Sequence, residues 1–399
     1  MTVMVRILPI LGVTFIDILG FSILIPILPY FVKSFGASDM TVGLLFSTFA
    51  ACQIVAGPVW GRLSDRTGRK QVLIISQVGA TVGWTMLAFA HSIGAIFFAR
   101  IVEGISGGNI SVTQAYVADL VEPAQRSRAF AYVGAAFSSG IVFGPAIGGI
   151  LLARFGYSAP FLAAAALQLF TLGITIFMLP ESRSGPSDIE ATKLRAVIKS
   201  LRNERVAPIL WQQWMYSLAL YAWFGVFSLL LKVALRLTVS QASYFFAAFG
   251  LFSAALQVGV VDRVASAFGD RRCSTIGIAI SVLGFLLVPL GHSVWTLVPA
   301  FICFGAGMAL SRPTITSLLT GAAPEQQRGT ILGVGSSLDN VSGVLMPPLS
   351  TGVLGRYGSS WAATPSFVFA TIALLMGLAA QRRESHASVA HVAEAAPPA

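Results

Sequence analysis

The chain has 399 residues, 55% of them hydrophobic and only 11% charged, with a mean hydropathy of +0.79. A soluble domain is nearer a quarter charged, so the composition excludes both a water-soluble globule and a disordered chain. The net charge of +10 does not point to nucleic acid, because the 26 basic residues sit mostly in short gaps between apolar runs, as in loops facing an anionic leaflet.

Twelve apolar runs are long enough for membrane helices: 7–31, 40–60, 71–91, 94–117, 127–153, 157–179, 207–231, 241–261, 273–291, 295–319, 327–352 and 360–380. All exceed the ~10 residues of a barrel strand. The predicted fold class is therefore an all-α membrane protein of twelve transmembrane helices in two pseudo-symmetric six-helix bundles. The first run is too long for a signal peptide and has no small-residue cleavage site. Alternate gaps hold 19 and 5 Lys and Arg, with Arg100 and Arg312 inside spans. That bias predicts a multi-pass inner-membrane protein with both termini cytoplasmic.

The longest gap divides the chain into an N-terminal bundle (1–180), a cytoplasmic linker (181–206) and a C-terminal bundle (207–382). In the linker, Ile189, Leu194, Val197, Ile198 and Leu201 share the face of a short interfacial helix. The tail, 383–399, is predicted to be disordered. The halves repeat with an offset of 201: His91-Ser92 recurs as His292-Ser293, Gly104 as Gly305, Pro123 as Pro324 and Gly134 as Gly335. Each half has an even number of spans, so the copies point the same way and enclose a site near the midplane.

In chain order, the first ionisable residue inside a span is Asp17, near mid-membrane and without a basic companion in its helix. A lone carboxylate at that depth suits proton exchange or attraction of a cationic substrate. The second run leads into GRLSDRTGRK (61–70), in which Gly61 and Gly68 allow a tight turn and Asp65 can pair with Arg66 or Arg69. Its plain alternative is a positive cytoplasmic loop. Arg100 and Glu103 follow one turn apart, as a structural ion pair or a working one, and Asn109 and Gln114 join Arg100 as substrate-binding candidates. Gly140, Gly144, Pro145, Gly148 and Gly149 let a neighbouring helix approach and bend their own.

The seventh run brings Trp211, Gln213, Trp214, Tyr221 and Phe224. The tryptophans fit an interfacial belt, and Gln213, Tyr221 and Phe224 are candidates for substrate contact. Arg312 and Asp339 come last, Asp339 either as a proton carrier beside Asp17 and Glu103 or as Arg312's structural partner. Cys52, Cys273 and Cys303 have no metal spacing, and no metal site is expected.

With these residues in hand, the chain resembles the major facilitator superfamily. GRLSDRTGRK matches that family's loop signature, Arg100, Gly104 and Gly108 its RxxxGxxxG pattern, and the glycines from Gly140 to Gly149 its antiporter helix motif. DILGFSILIPILPYF (17–31) resembles the drug:proton antiporters, above all the tetracycline-efflux proteins. The resemblance covers almost all of residues 7–380 and implies export of drug-like compounds against inward proton flow. By it, Asp17 and Arg100 belong to the coupling and substrate region, and Gly61, Asp65, Arg66, Gly68 and Arg69 to a cytoplasmic gate. The chain departs from tetracycline exporters at Gly83, where they carry an aspartate.

The expected function is a proton-coupled antiporter exporting lipophilic or cationic drug-like molecules by alternating access. The alternatives are a metabolite carrier for a sugar, organic acid or siderophore, and a non-transporting membrane receptor. Enzymatic activity is not expected, nor a cofactor beyond the proton gradient. The expected partners are a small-molecule substrate, protons and lipid, and the expected state is a monomer.

Overall fold

The computed structural model describes residues 3–107, 110–122, 125–182, 203, 205–291, 293–324 and 328–394. Among these the secondary structure is helical throughout. The first half comprises α1 (Val3–Lys33), α2 (Asp39–Thr67), α3 (Arg69–Ala88), α4 (Ile93–Ser106), α5 (Ile110–Leu120), α6 (Arg126–Phe155) and α7 (Ser158–Met178). The second half comprises α8 (Ala207–Leu235), α9 (Val239–Leu256), a π-turn at Gln257–Val261, α10 (Asp262–Phe268), α11 (Asp270–Leu287), α12 (Val294–Ala322), α13 (Arg328–Tyr357) and α14 (Thr364–Glu394).

Among the described residues, ten helices are long and apolar enough to cross a membrane. The other two predicted spans fall on α4 with α5, whose described segments are 14 and 11 residues long, and on α13, which is rich in Gly and Ser. Leu44, Val55, Val82, Phe98, Phe170, Phe177 and Leu375 are exposed, which is costly in water and natural against lipid tails. One predicted feature lies outside the described residues and one differs. The linker helix and most of 181–206 lie outside the described residues. The predicted disordered tail is helical as far as Glu394, because the alanine-rich stretch after Arg383 has high helix propensity and extends α14.

The chain divides into two compact units: residues 1–191 with 224–251 and 343–362, and residues 192–223 with 252–342 and 363–399. In the first unit, α1 packs on α6 and α7, α3 on α4 and α7, and α2 on α4. In the second, α11 packs on α12 and α14. The first unit also contains a seam between segments from both sequence halves. Ser228 Oγ donates to the Pro26 carbonyl (2.8 Å), Tyr30 to that of Leu237 (3.1 Å) and Ser47 to that of Val344 (2.5 Å). Gly43 makes room for this seam, since a Cβ there would stand 2.6 Å from the Pro348 backbone. Beside it Lys33 pairs with Asp39 at 2.7 Å.

Candidate functional site

Arg100 and Glu103 lie one turn apart on α4 and form an ion pair between Nη1 and Oε2. Arg100 is fully buried and Glu103 is 4% exposed. Glycines let the neighbouring helices close over them. A Cβ at Gly83 of α3 would stand 3.1 Å from the Glu103 backbone nitrogen, and one at Gly104 would stand 2.8 Å from the Phe49 carbonyl oxygen of α2. The Arg100 guanidinium lies 4.0 Å above the Phe49 ring, and that ring stacks on Phe21 at 5.5 Å. Asp17, one turn before Phe21 on α1, is half-buried, with Oδ1 shielded from solvent. Hence α1, α2, α3 and α4 all contribute to this polar centre of the first unit.

The sequence repeat isolates what is special there. Shifted by 201 residues, Gly83 becomes Gly284, whose Cβ position would stand 3.0 Å from the Phe304 backbone nitrogen. Glu103 thus corresponds to Phe304 and Arg100 to Phe301. Both phenylalanines pack on Trp223, at 5.5 and 5.9 Å, and Phe304 also on Phe285. One helix-packing arrangement therefore accepts either an ion pair or two aromatic rings. Packing does not require the charges.

The second unit has its own polar centre. Arg312 of α12 reaches Asp339 Oδ2 of α13 through both terminal nitrogens, at 3.2 and 3.3 Å, and Ser217 of α8 donates to Asp339 Oδ1 at 2.5 Å. Gln213 covers Gly335, so Gln213 and Ser217 on α8 match Gly335 and Asp339 on α13 in register, each pair one turn apart. Tyr221 continues the same α8 face. The sequence shows the pairing of Arg312 with Asp339 as one alternative but gives no sign of Ser217 as its third member. Trp223 is core, while Trp211 and Trp214 pack together at 5.3 Å with Trp211 exposed, as in an interfacial belt.

At the α2–α3 turn, Gly68 has φ +108°, a conformation that glycine adopts at little cost. Arg69 is buried and pairs with Asp65 (2.6 Å) and Asp119 (3.3 Å), and it donates to Ser64 Oγ (2.6 Å). Glu181, just past α7, accepts the backbone N–H of Arg69 (2.8 Å) and Lys70 (3.2 Å), so it caps α3. In return, Lys70 Nζ donates to the Ile176 carbonyl in the last turn of α7 (2.7 Å). The predicted gate is thus centred on Arg69. Arg66 is exposed, and a Cβ at Gly61 would meet nothing within 4 Å. Asp119 and Glu181, distant in sequence, complete a cluster that spacing alone does not reveal.

Along α6, Gly140, Gly144 and Gly148 face α1, where a Cβ at Gly144 would stand 2.6 Å from the Leu19 carbonyl oxygen. Ser22 Oγ donates to the Gly140 carbonyl at 2.8 Å. Pro145 is buried between these glycines, and Gly149 turns to Ser243 of α9. Of the remaining candidates, Gln114 is exposed, Phe224 belongs to the first unit, and Asn109 and Gly108 lie outside the described residues.

A duplicated architecture of long apolar helices, with the Arg100–Glu103 pair buried among them, fits a multi-pass membrane transporter of small molecules rather than an enzyme. The Major Facilitator Superfamily model matches residues 10–233 and again 225–398, and the chain belongs to that family. It is 28% identical to the class C tetracycline resistance protein of Escherichia coli over 365 residues (88% of this chain, 90% of the relative). It is 29% identical to multidrug resistance protein 2 of Bacillus subtilis over 377 residues (91% of each). Among solved structures, the human organic anion transporter MFSD10 (TETRAN) superposes with a TM-score of 0.70 at 23% identity, covering 93% of this chain and 98% of that one.

Proposed function

We propose that the protein is a proton-coupled antiporter that exports lipophilic or cationic drug-like small molecules by alternating access. In this reading it acts as a monomer in the cell inner membrane, both termini are cytoplasmic, and the proton gradient is its energy source without a cofactor. The observation that carries the proposal is the Arg100–Glu103 pair, held where the repeat has Phe301 and Phe304. Burying charge at bilayer depth costs at least ~2.5–3.5 kcal/mol per group even on gentle scales. A cost that packing does not require points to work done by the charges.

In the proposed cycle, a carboxylate (Asp17, Glu103 or Asp339) releases its proton to the cytoplasm as cargo enters, and reprotonation from outside favours release. Arg100, Asn109, Gln114, Gln213, Tyr221 and Phe224 are the candidates for substrate contact. The Asp65–Arg69–Asp119 cluster, with Gly61, Arg66 and Gly68 around it, is the cytoplasmic gate. The seam beside Lys33 and Asp39 is the extracytoplasmic closure. Relatives named for tetracycline and multidrug resistance support drug export.

The test adds ethidium or tetracycline outside inside-out vesicles with an acidic lumen and follows its uptake. Export is expected to follow the gradient, to stop with an uncoupler, and to lose coupling in Asp17→Asn or Glu103→Gln. Transport to the same final level with and without the gradient refutes the proposal.

A further inference from the structure

Arg100 is fully buried, yet only Nη1 is engaged by Glu103, and Nε and Nη2 have no hydrogen-bond partner among the described residues. One engaged nitrogen anchors a planar group at a point and leaves the direction of its plane open. What faces that plane is the Phe49 ring at 4.0 Å, itself backed by Phe21. The separation between ring and guanidinium is set by the backbone, because α2 and α4 touch where Gly104 meets Phe49 and Cys52.

The repeat gives a second, independent observation. The counterparts of Phe49, Arg100 and Glu103 are Gly250, Phe301 and Phe304. In this chain, the half with the ion pair has the ring beneath it, and the half without the pair has a glycine there. The glycines at 83/284 and 104/305 recur in both halves, whereas the ring does not.

We propose that Phe49 is the positioning residue of the buried ion pair. Its ring fixes the plane of the Arg100 guanidinium, holds Nη1 on Glu103 and directs the Nε–Nη2 edge. Attraction of a guanidinium to a ring face strengthens as water is excluded, which is the situation here. The inference rests on reading the Arg100–Glu103 pair as part of the coupling site, and it is tested without cargo.

Cys52 supplies the reporter. It lies one turn beyond Phe49 on α2, against Gly104 and within electrostatic reach of Arg100. In a Cys273→Ser/Cys303→Ser background it is the single thiol, and its labelling by N-ethylmaleimide is followed in detergent across a pH series. Phe49→Met is expected to change the labelling rate at least about threefold when Arg100 is present and less than about 1.5-fold in Arg100→Gln. Phe49→Tyr, which keeps the ring face, is expected to label as the parent does. Phe49→Leu replaces Phe49→Met if the latter is not recovered folded. The same change with or without Arg100, no change at all, or a tyrosine variant that behaves like methionine overturns the proposal. Ethidium export separates the two readings: gradient-independent export with intact Phe49–Arg100 coupling removes the antiport reading alone, and additive labelling with gradient-driven export removes the positioning role alone.

Discussion

The burial of Arg100 and Glu103 makes an unequal prediction for their neutralisation. Removing one partner of a buried pair costs about 3–5 kcal/mol, because a charge is left without compensation. In Glu103→Gln the amide oxygen can still accept from Nη1, and such a bond returns about 1 kcal/mol. The net loss is therefore about 2–4 kcal/mol. In Arg100→Gln the remaining group is a carboxyl that can neutralise itself by taking a proton, whereas a guanidinium cannot shed one. Arg100→Gln is thus expected to be less damaging than Glu103→Gln, and the double neutral variant better than Glu103→Gln alone. In a long chain each kcal/mol moves Tm by roughly 1–2 °C, which gives a drop of roughly 2–8 °C for Glu103→Gln. Thermal melting of the purified variants in one detergent at pH 7 checks the ordering. A Glu103→Gln melt equal to or above that of Arg100→Gln, or a double variant no better than Glu103→Gln, refutes the argument from an uncompensated cation.

Other substitutions test the remaining clusters. Gly144→Val has no room against the Leu19 carbonyl and Ser22 of α1. The overpacking costs about 1–3 kcal/mol or more, and the yield of monodisperse protein on gel filtration should fall. Arg69→Lys keeps the charge but loses the fork that spans Ser64, Asp65 and Asp119. Vesicle transport is expected to drop at least about tenfold while membrane expression is retained. Reversing Arg312 to Asp should disrupt the second unit's centre, and adding Asp339→Arg should restore part of the melting temperature. Failure of that rescue shows that orientation by Ser217, rather than the pairing of charges, dominates there.

The helical membrane fold is legible in the sequence because a lipid-spanning segment must be long, apolar and internally hydrogen-bonded, which leaves a coarse and unmistakable pattern. The twofold repeat is visible for a related reason: Gly83 and Gly284 both mark places where backbones touch, and such contacts tolerate few other residues. Charges within one turn, as at Arg100 and Glu103, can be paired by spacing alone. Partners from separate helices cannot. Asp119 and Glu181 reach Arg69 and its helix from 50 and 112 positions away, and Ser217 reaches Asp339 from 122. Phe49 is hidden differently, since one more phenylalanine in an apolar run carries no mark of the cation above it. The helical tail escapes the hydropathy pattern because Arg382, Arg383, Glu384 and His386 end the apolar run while the alanines beyond them keep helix propensity high, so the end of the apolar run does not coincide with the end of the helix.

The seam linking Pro26, Tyr30 and Ser47 to Ser228, Leu237 and Val344 has a pharmacological corollary. In the proposed orientation, a blocker applied outside the cell meets a shut door in this state and must await the turn of the cycle. Its onset should therefore quicken when pumping is brisk and stall when the protein idles. A compound that crosses the bilayer first and arrives from within should show no such dependence on use.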